Sequence, residues 1–371
     1  MSHDRPRIMV LDGDYTHTLA VHSELKQLLN AEIISVASTH RSPGHLSRRT
    51  DVRVVAPPST SAVFGDALVE LASTHRPDLI VPVGFASTSA VLARRPELNR
   101  LSRTLTPDEP SFSLAASKTR TYRAAAEAGV RVPKEYGTDA AEVRARLAPD
   151  LYPIFAKARL ERGGVSTAFI RSPEDLRRFD PAALGGDVIF QEYVDGDTFT
   201  YAHGGFFERG EPVVSLDHVE RRSVPRRGGS GTRVVSARIP ELASEAQKLL
   251  RHLSWTGMAQ VEFKLSSAGE YILMEINPKL WASYALASRS GHPIVATAAA
   301  RRLDTDPPQQ RGRIGVAMVF PFREMRYVAE NLRDENVLAS AAAMLWPPAK
   351  LDFEAADLRA HLPRRFRQDA P

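Results

Sequence analysis

The chain has 371 residues, of which 43% are hydrophobic and 25% are charged, a composition typical of a globular protein with two or three domains. The net charge is only +5 and aromatic residues make up 7%, which argues against a nucleic-acid binder and fits a small anionic ligand. Because the chain has no cysteine, disulfides, a thiol nucleophile and cysteine-ligated metals are excluded.

The N-terminal stretch MSHDRPRIMVLDGD lacks the apolar segment of a signal peptide, and no apolar run elsewhere reaches the length of a membrane span. We therefore expect a cytoplasmic protein with no membrane partner. No internal repeat is found, so a repeat architecture is not expected.

The first hundred residues alternate between strand-like and helix-like segments. Strands are predicted over 7–11, 51–56 and 78–84, and helices over 18–29 and 62–74. This alternation predicts a small doubly wound α/β domain, with ligands expected at the strand-end loops 12–14 and 84–87 unless these are ordinary turns. Without a GxGxxG motif, a dinucleotide site is not supported.

Two lysines lie beside features that favour anions. Ser117 is a natural N-cap and Gly129 a natural C′ residue, so Lys118 opens a helix at the end where the dipole prefers an anion. Lys157 lies on a strand predicted over 152–159, which leads into a loop with two adjacent glycines. An anionic ligand would explain both lysines, although a solvated lysine and a plain hairpin turn are common alternatives.

The middle of the chain is predicted as a meander of strands over 187–195, 198–207 and 212–219. The arginine- and glycine-rich segment 221–232 is expected to interrupt regular structure, either as a solvated loop or as a mobile anion-binding lid. An amphipathic helix over 242–253 follows. Beyond the next hairpin we predict a helix over 284–291, a strand over 313–320, a helix over 325–331 and a loosely ordered end.

The hairpin predicted over 258–283 carries acidic residues on one face. A two-residue turn at 268–269 places Glu262 opposite Glu275, with Asn277 one step further along the same face. Facing carboxylates repel each other, so the pair calls for a cation, and oxygen ligands alone favour Mg²⁺ or Mn²⁺ over zinc. The alternative is a wet hairpin face. The apolar face of the second strand is predicted to comprise Ile272, Met274 and Ile276, with Leu273 on the polar face.

In this order the segments resemble the ATP-grasp superfamily over about residues 117–291. The resemblance rests on the two lysines, the glycine loop, the strand QEYV, Glu262 and the stretch EINPKLWAS, which is similar to the EINPRFWGS signature of carboxylate-amine ligases. It implies an α/β fold, with an N-terminal Rossmann-like pre-ATP-grasp domain followed by a two-lobed ATP-grasp domain. The implied boundaries are 1–106 for the first domain, 107–195 and 196–311 for the two lobes, and 312–371 for a C-terminal extension.

The resemblance also implies roles for individual residues. Ten residues are implied to bind the phosphates, adenine or ribose of ATP, and three of them form the glycine loop. They are Lys118, Lys157, Gly163, Gly164, Ser166, Gln191, Glu192, Tyr193, Val194 and Asp197. The implied metal ligands are Glu262, Glu275 and Asn277. The implied catalytic residues are Lys279, Arg226 and Arg227. This chain departs from the signature at Lys279, where arginine is usual, and at Leu280 and Ala282, which replace an aromatic residue and a glycine.

The implied activity is ATP-dependent ligation with ATP and Mg²⁺ (or Mn²⁺) as cofactors. A carboxylate is activated as an acyl phosphate and is coupled to an amine to form an amide, so small-molecule acids and amines, such as amino acids, are the expected partners. The alternatives are a carboxylate-thiol ligase or an enzyme that loads a carrier protein and, less favoured, a non-catalytic nucleotide-binding regulatory protein. A nucleic-acid partner is not expected, and a homodimer is implied only by the resemblance.

Overall fold

Three β-sheets organise the fold in the computed structural model, which describes residues 5–160, 167–225, 229–332, 350–353 and 357–362. The sheets contain five, four and seven strands and follow one another along the chain. Within these ranges, no helix combines the length and the apolar character needed to cross a bilayer. The predicted α/β fold class is confirmed.

The first sheet is parallel, in the order β3-β2-β1-β4-β5. Its strands are β1 (Arg7–Val10), β2 (Glu32–Ala37), β3 (Val52–Val55), β4 (Leu79–Val81) and β5 (Arg103–Thr104). Its helices are α1 (Thr18–Leu29), α2 (Pro43–Leu46), α3 (Phe64–His75), α4 (Phe85–Ala93) and α5 (Arg95–Leu98). The strand order reverses beside β1, and there Asp12 Oδ2 accepts the backbone N–H of Gly84 at 2.7 Å. The two predicted strand-end loops therefore meet at the switch point of the sheet.

The second sheet is antiparallel, in the order β6-β9-β7-β8. Its strands are β6 (Glu135–Gly137), β7 (Ile154–Ala158), β8 (Thr167–Ile170) and β9 (Val188–Glu192). Its neighbouring helices are α6 (Glu109–Ala115), α7 (Lys118–Glu127), α8 (Ala140–Arg146) and α9 (Pro173–Arg178). Both predicted ends of α7 are confirmed, because Ser117 Oγ accepts the backbone N–H of Arg120 and Gly129 has a left-handed φ of 72°.

The third sheet has the order β14-β13-β10-β11-β12-β15-β16. Its strands are β10 (Thr200–Glu208), β11 (Glu211–Val224), β12 (Ser230–Ala237), β13 (Gly257–Leu265), β14 (Tyr271–Asn277), β15 (Ala317–Val319) and β16 (Lys350–Leu351). The remaining helices are α10 (Pro240–His252), α11 (Ala285–Ser290), α12 (Ile294–Leu303), α13 (Pro321–Glu330) and α14 (Leu358–His361). One face of the sheet packs on α7 and α10, and the other shares a core with α1, α11 and α12.

The prediction that residues 221–232 interrupt regular structure is wrong for 221–224 and 230–232, which lie in strands. Strand β11 continues to Val224 and β12 begins at Ser230. Both strands are held by Glu324 of α13, a fully buried carboxylate whose Oε1 lies 2.6 Å from nitrogens of Arg222 and Arg233. The arginine-rich composition suggested a solvated loop because the partner carboxylate lies about ninety residues later in the chain.

The turn of the acidic hairpin has three residues instead of the predicted two. Ser266 N–H donates to Glu270 O at 2.9 Å, and Gly269 inside the turn has a φ of 78°, which favours glycine. An odd-length turn by itself shifts every cross-strand pair beyond it by one residue.

A β-bulge on β14 corrects that shift. Phe263 pairs with Leu273, whereas Glu262 pairs with Glu275, so Met274 is the extra residue. The bulge brings fully buried Leu273 onto the core face together with Ile276, so the predicted strict alternation along β14 is wrong at Leu273. The predicted pairing of Glu262 with Glu275 is confirmed, but through two compensating irregularities.

A buried carboxylate joins the first sheet's helices to the third sheet. Glu24 of α1 accepts hydrogen bonds from Tyr284 Oη at 2.7 Å and from the backbone N–H of Ala296 at the start of α12 at 2.8 Å. Burial outweighs these hydrogen bonds and raises the pKa of Glu24 to about 7.

We expect Glu24→Gln to flatten the pH dependence of folding stability. The folded protein holds the Glu24 proton more tightly than the unfolded chain, so wild-type stability falls as pH rises from about 4.5 to 7, by up to about 3 kcal/mol. Urea unfolding at pH 5 and pH 7.5 measures this difference. An equal loss of stability in the variant and the wild type would contradict it.

Candidate active site

Two carboxylates and two amides form the centre of the candidate site on one face of the third sheet. Glu262 pairs with Glu275 and Gln260 with Asn277 across β13 and β14. The Asn277 amide nitrogen donates to Glu262 Oε1 at 3.3 Å, to Glu275 Oε1 at 3.2 Å and to Gln260 Oε1 at 3.2 Å. The predicted set of Glu262, Glu275 and Asn277 is therefore brought together.

The two facing carboxylates have opposite pKa shifts. Burial and then the negative charges of Glu275 and Glu220 raise the pKa of Glu262 well above its usual value. Burial acts in the same direction on Glu275, but the ammonium groups of Lys118, Lys279 and Lys157 lower the pKa of Glu275 to about 2. The pair thus carries charge that an additional cation would stabilise.

The two predicted lysines lie in the same cleft as the carboxylates. The backbone N–H of Lys118 donates to the backbone carbonyl of Arg159 at 3.0 Å. This hydrogen bond joins the start of α7 to the end of β7, and β7 carries Lys157. Lys118 Nζ lies 3.3 Å from Glu275 Oε2 and Lys157 Nζ lies 3.9 Å from Met274 Sδ. Both side chains are buried, with 5% and 8% exposure.

Lys157 has no acidic partner within ion-pair distance among the described residues. Burial, followed by repulsion from Lys118, lowers the pKa of Lys157 to about 8. A buried ammonium group normally has an anion next to it. The absence of a neighbouring anion here is what we expect if an anionic ligand binds at this position.

The predicted adenine-binding strand lies next to Lys157. Gln191 pairs with Phe155 on β7 and is fully buried, and its side-chain nitrogen has no hydrogen-bond partner in the structure. Its Oε1 accepts from Tyr122 Oη, which also donates to the backbone carbonyl of Met274. Tyr122 therefore links the second sheet to the third at the base of the cleft.

The other predicted nucleotide-binding residues of this region have partners of their own. Glu192 Oε1 accepts the backbone N–H of Lys134 at 2.9 Å. Tyr193 packs against two aromatic rings in tilted and edge-on contacts, and Val194 is half-buried. Asp197 accepts hydrogen bonds from the backbone N–H of Phe199 and from Tyr201 Oη. The Glu192 and Asp197 carboxylates therefore already accept hydrogen bonds from other groups of the protein.

Of the predicted catalytic residues, Lys279 lies in the site, with Nζ 2.9 Å from Asn277 Oδ1. Arg226 and Arg227 lie outside the described residues, as do Gly163, Gly164 and Ser166 of the glycine loop.

Several residues of the site were missed in the sequence. Gln260 contacts Asn277 and His218, and the Lys264 ammonium group donates to Phe199 O at 2.6 Å. Gln260 could have been found, because it lies two residues from Glu262 and hence on the same face of the strand. His218 and Ser283 had no comparable signal, because residues distant in the chain bring them together: His218 contacts Gln260 and Ser283.

The oxygen atoms of Glu262, Glu275 and Asn277 fit a magnesium ion only if a bound ligand completes its coordination. The described residues contain no group of three or more histidine, cysteine or acidic side chains that could hold a metal by themselves. Magnesium sites commonly use one or two carboxylates and complete the coordination with substrate phosphates. Two carboxylates, an amide and two nearby lysines match that pattern.

Known proteins resemble this chain in sequence and in fold. Residues 228–303 match the family described as carbamoyl-phosphate synthase L chain, ATP binding domain. A formate-dependent phosphoribosylglycinamide formyltransferase from Synechococcus sp. (strain CC9902) is 24% identical over 224 residues, which are 57% of this chain and 56% of the relative. The chain thus spans just over half the length of this curated relative.

Solved structures share the fold at low sequence identity. N5-carboxyaminoimidazole synthetase from Staphylococcus aureus superimposes with a TM-score of 0.66 and 13% identity, over 89% of this chain and 86% of its own. The biotin carboxylase domain of the Hydrogenobacter thermophilus 2-oxoglutarate carboxylase, a dimer with MgADP and bicarbonate, gives 0.65 and 16%, over 84% and 73%. The resemblance found in the motifs is therefore confirmed at the level of the fold, which the chain shares with these enzymes.

Proposed function

We propose that the chain is an ATP-dependent ligase that activates a carboxylate as an acyl phosphate and couples it to an amine. The observation that carries this proposal is that Glu262, Glu275 and Asn277 lie near the buried ammonium group of Lys157, which has no acidic partner within ion-pair distance among the described residues. A site with paired carboxylates on one side and the ammonium group of Lys157, which has no acidic partner in the described part of the chain, on the other suits magnesium and a polyphosphate together.

In the proposed reaction a carboxylate oxygen attacks the γ-phosphorus of ATP, and the bond to the β-phosphate oxygen breaks to release ADP. The amine nitrogen then attacks the acyl carbon, phosphate leaves with the carbon–oxygen bonding electrons, and the amine loses a proton. No side-chain nucleophile is required.

The roles that we assign to residues are binding and orientation. Lys118 and Lys157 hold the phosphates, Lys279 lies beside the transferred group, and Glu262, Glu275 and Asn277 hold Mg²⁺. The bound Mg²⁺ neutralises charge on the phosphoryl oxygens. We keep the backbone of Gln191 and Val194 as the adenine contact, and the domain division at residues 106, 195 and 311, as part of the same proposal.

The comparisons support the choice of an acid as the activated group. The curated relative is named as formate-dependent, and one of the similar structures holds MgADP together with bicarbonate. Both therefore involve a small acid by their descriptions. The acid and the amine used by this chain are the part that an experiment must identify.

We expect ADP release to depend on two components. The experiment measures ADP release from MgATP with single amino acids and small dicarboxylates and then with their pairs, followed by mass spectrometry of the products. An amide formed only when acid and amine are both present supports the proposal. Product formed only on an added thiol or carrier protein, or no ADP release with any pair, contradicts it.

A further inference from the structure

A third carboxylate lies near the candidate site and has no role in the proposed reaction. Glu220 of β11 is 9% exposed, and its Oε1 accepts a hydrogen bond from Ser283 Oγ at 2.9 Å. The backbone of Gly231 packs against the same carboxylate. A Cβ atom on Gly231 would lie 2.8 Å from the Glu220 Cδ atom, so the carboxylate fills space that only glycine leaves.

The cation Arg323 is held beside Glu220 without pairing with it. Arg323 donates to the backbone carbonyls of Gly231 and Ala282, both at 3.2 Å. Gly231 packs against the Glu220 carboxylate, and Ala282 directly precedes Ser283, which donates a hydrogen bond to that carboxylate. The Arg323 guanidinium is therefore anchored by the two segments that also anchor the carboxylate.

Glu220 itself lacks a direct cationic partner in the described part of the chain. No lysine or arginine nitrogen lies within 4.0 Å of its carboxylate, and the ionisable nitrogen at that distance is His218 Nε2. Burial lowers the pKa of His218 to about 4, so this ring is neutral at physiological pH. A buried carboxylate without a cation is costly, and a bound cation would remove much of that cost.

The position of Glu220 favours an organic cation over a metal ion. Glu220 and Glu262 lie on the same face of the sheet, on strands separated by β10 and offset by two residues in register, so their backbones are about 12 Å apart. That separation places Glu220 beside the candidate metal ligands rather than among them. The described residues also offer no third histidine or acidic ligand that could complete a metal site at Glu220.

We propose that Glu220 binds the ammonium group of the amine-bearing substrate, with Ser283 and Gly231 fixing its carboxylate. This inference rests on the proposed ligase function for the identity of the ligand as a substrate. It defines the substrate class as an amine that enters the site in its protonated form and passes one N–H proton to the Glu220 carboxylate before its nitrogen attacks the acyl carbon.

The test measures binding without turnover. L-Alaninamide carries an ammonium group, and N-acetyl-L-alaninamide lacks one, so we use both as probes in calorimetric titrations of the full chain with a non-hydrolysable MgATP analogue. We expect the wild type to bind only the first probe, and Glu220→Gln to weaken that binding at least about tenfold, as loss of a charge-assisted hydrogen bond predicts.

Asp217→Asn is the matched control. Asp217 lies on the same strand with the same 9% exposure, but its carboxylate pairs with His203 and with the backbone N–H of Ile239. Probe binding by this variant should equal that of the wild type. Gly231→Ala, which displaces the Glu220 carboxylate without removing it, should weaken binding and serves as the second variant if Glu220→Gln does not fold.

Three outcomes would overturn the inference. The wild type could bind neither probe, or the wild type and the folded Glu220 and Gly231 variants could bind alaninamide equally well. The third outcome is that Glu220→Gln loses one bound Mn²⁺ per chain but still binds alaninamide. Alaninamide binding that depends on Glu220 supports it even if no pair of substrates yields ADP. In that case the ligase proposal fails, and the ammonium site stands.

Discussion

Glu262→Gln will lower ATP-dependent ligation by at least about 100-fold while leaving the fold intact. The substitution keeps the shape and an acceptor oxygen but removes one of the two charges that would hold Mg²⁺ against the phosphates. Loss of one preorganised electrostatic contact to a transition state commonly costs that much. ADP release under saturating MgATP, together with thermal unfolding, measures both parts of this prediction.

The control for Glu262→Gln lies in the same hairpin. Glu270 is half-buried at the end of the turn and pairs with Arg131, so Glu270→Gln should retain wild-type ADP release. Asn277→Ala should behave like Glu262→Gln, because Asn277 contacts both carboxylates. Wild-type activity in folded Glu262→Gln would show that the carboxylate pair is an ordinary wet hairpin face.

Lys157→Met will weaken MgATP binding at least about tenfold and will at the same time stabilise the ligand-free protein. The lowered pKa of Lys157, about 8 against an ordinary 10.5, means that the folded state disfavours its charged form. Wild-type stability should therefore rise with pH between about 8 and 10.5, and removal of the charge should add up to about 3 kcal/mol at pH 7. Calorimetric titration and urea unfolding give the two quantities.

Opposite changes in binding and stability separate a functional lysine from a structural one. Lys248→Met on the exposed face of α10 should change neither quantity, since Lys248 pairs only with Glu245 of its own helix among the contacts found. A Lys157→Met protein that is less stable and binds MgATP normally would remove Lys157 from the proposed site.

Patterns of local periodicity predicted the parts of the fold that depend on neighbouring residues. Helix α1 begins and ends at the predicted residues, and α7 has the predicted cap and terminating glycine. The facing of Glu262 and Glu275 was also predicted, although the two-residue turn was wrong.

Features that depend on distant partners could not be predicted. The strands around 221–232 are held by Glu324, and Glu220 acquires its surroundings from Ser283 and Gly231. The bulge at Met274 has no sequence signal, because its role is to cancel a register shift made five residues earlier by the turn. Strand β2 and helix α12 were not assigned, although both are largely buried.

The central claim is that MgATP lies between the carboxylate pair and the two buried lysines, and anomalous diffraction from crystals grown with Mn²⁺ and ADP tests it most directly. The account predicts a manganese peak bounded by Glu262, Glu275 and Asn277, with the phosphates reaching Lys118 and Lys157. A manganese peak elsewhere, with those three side chains free of metal, would contradict it.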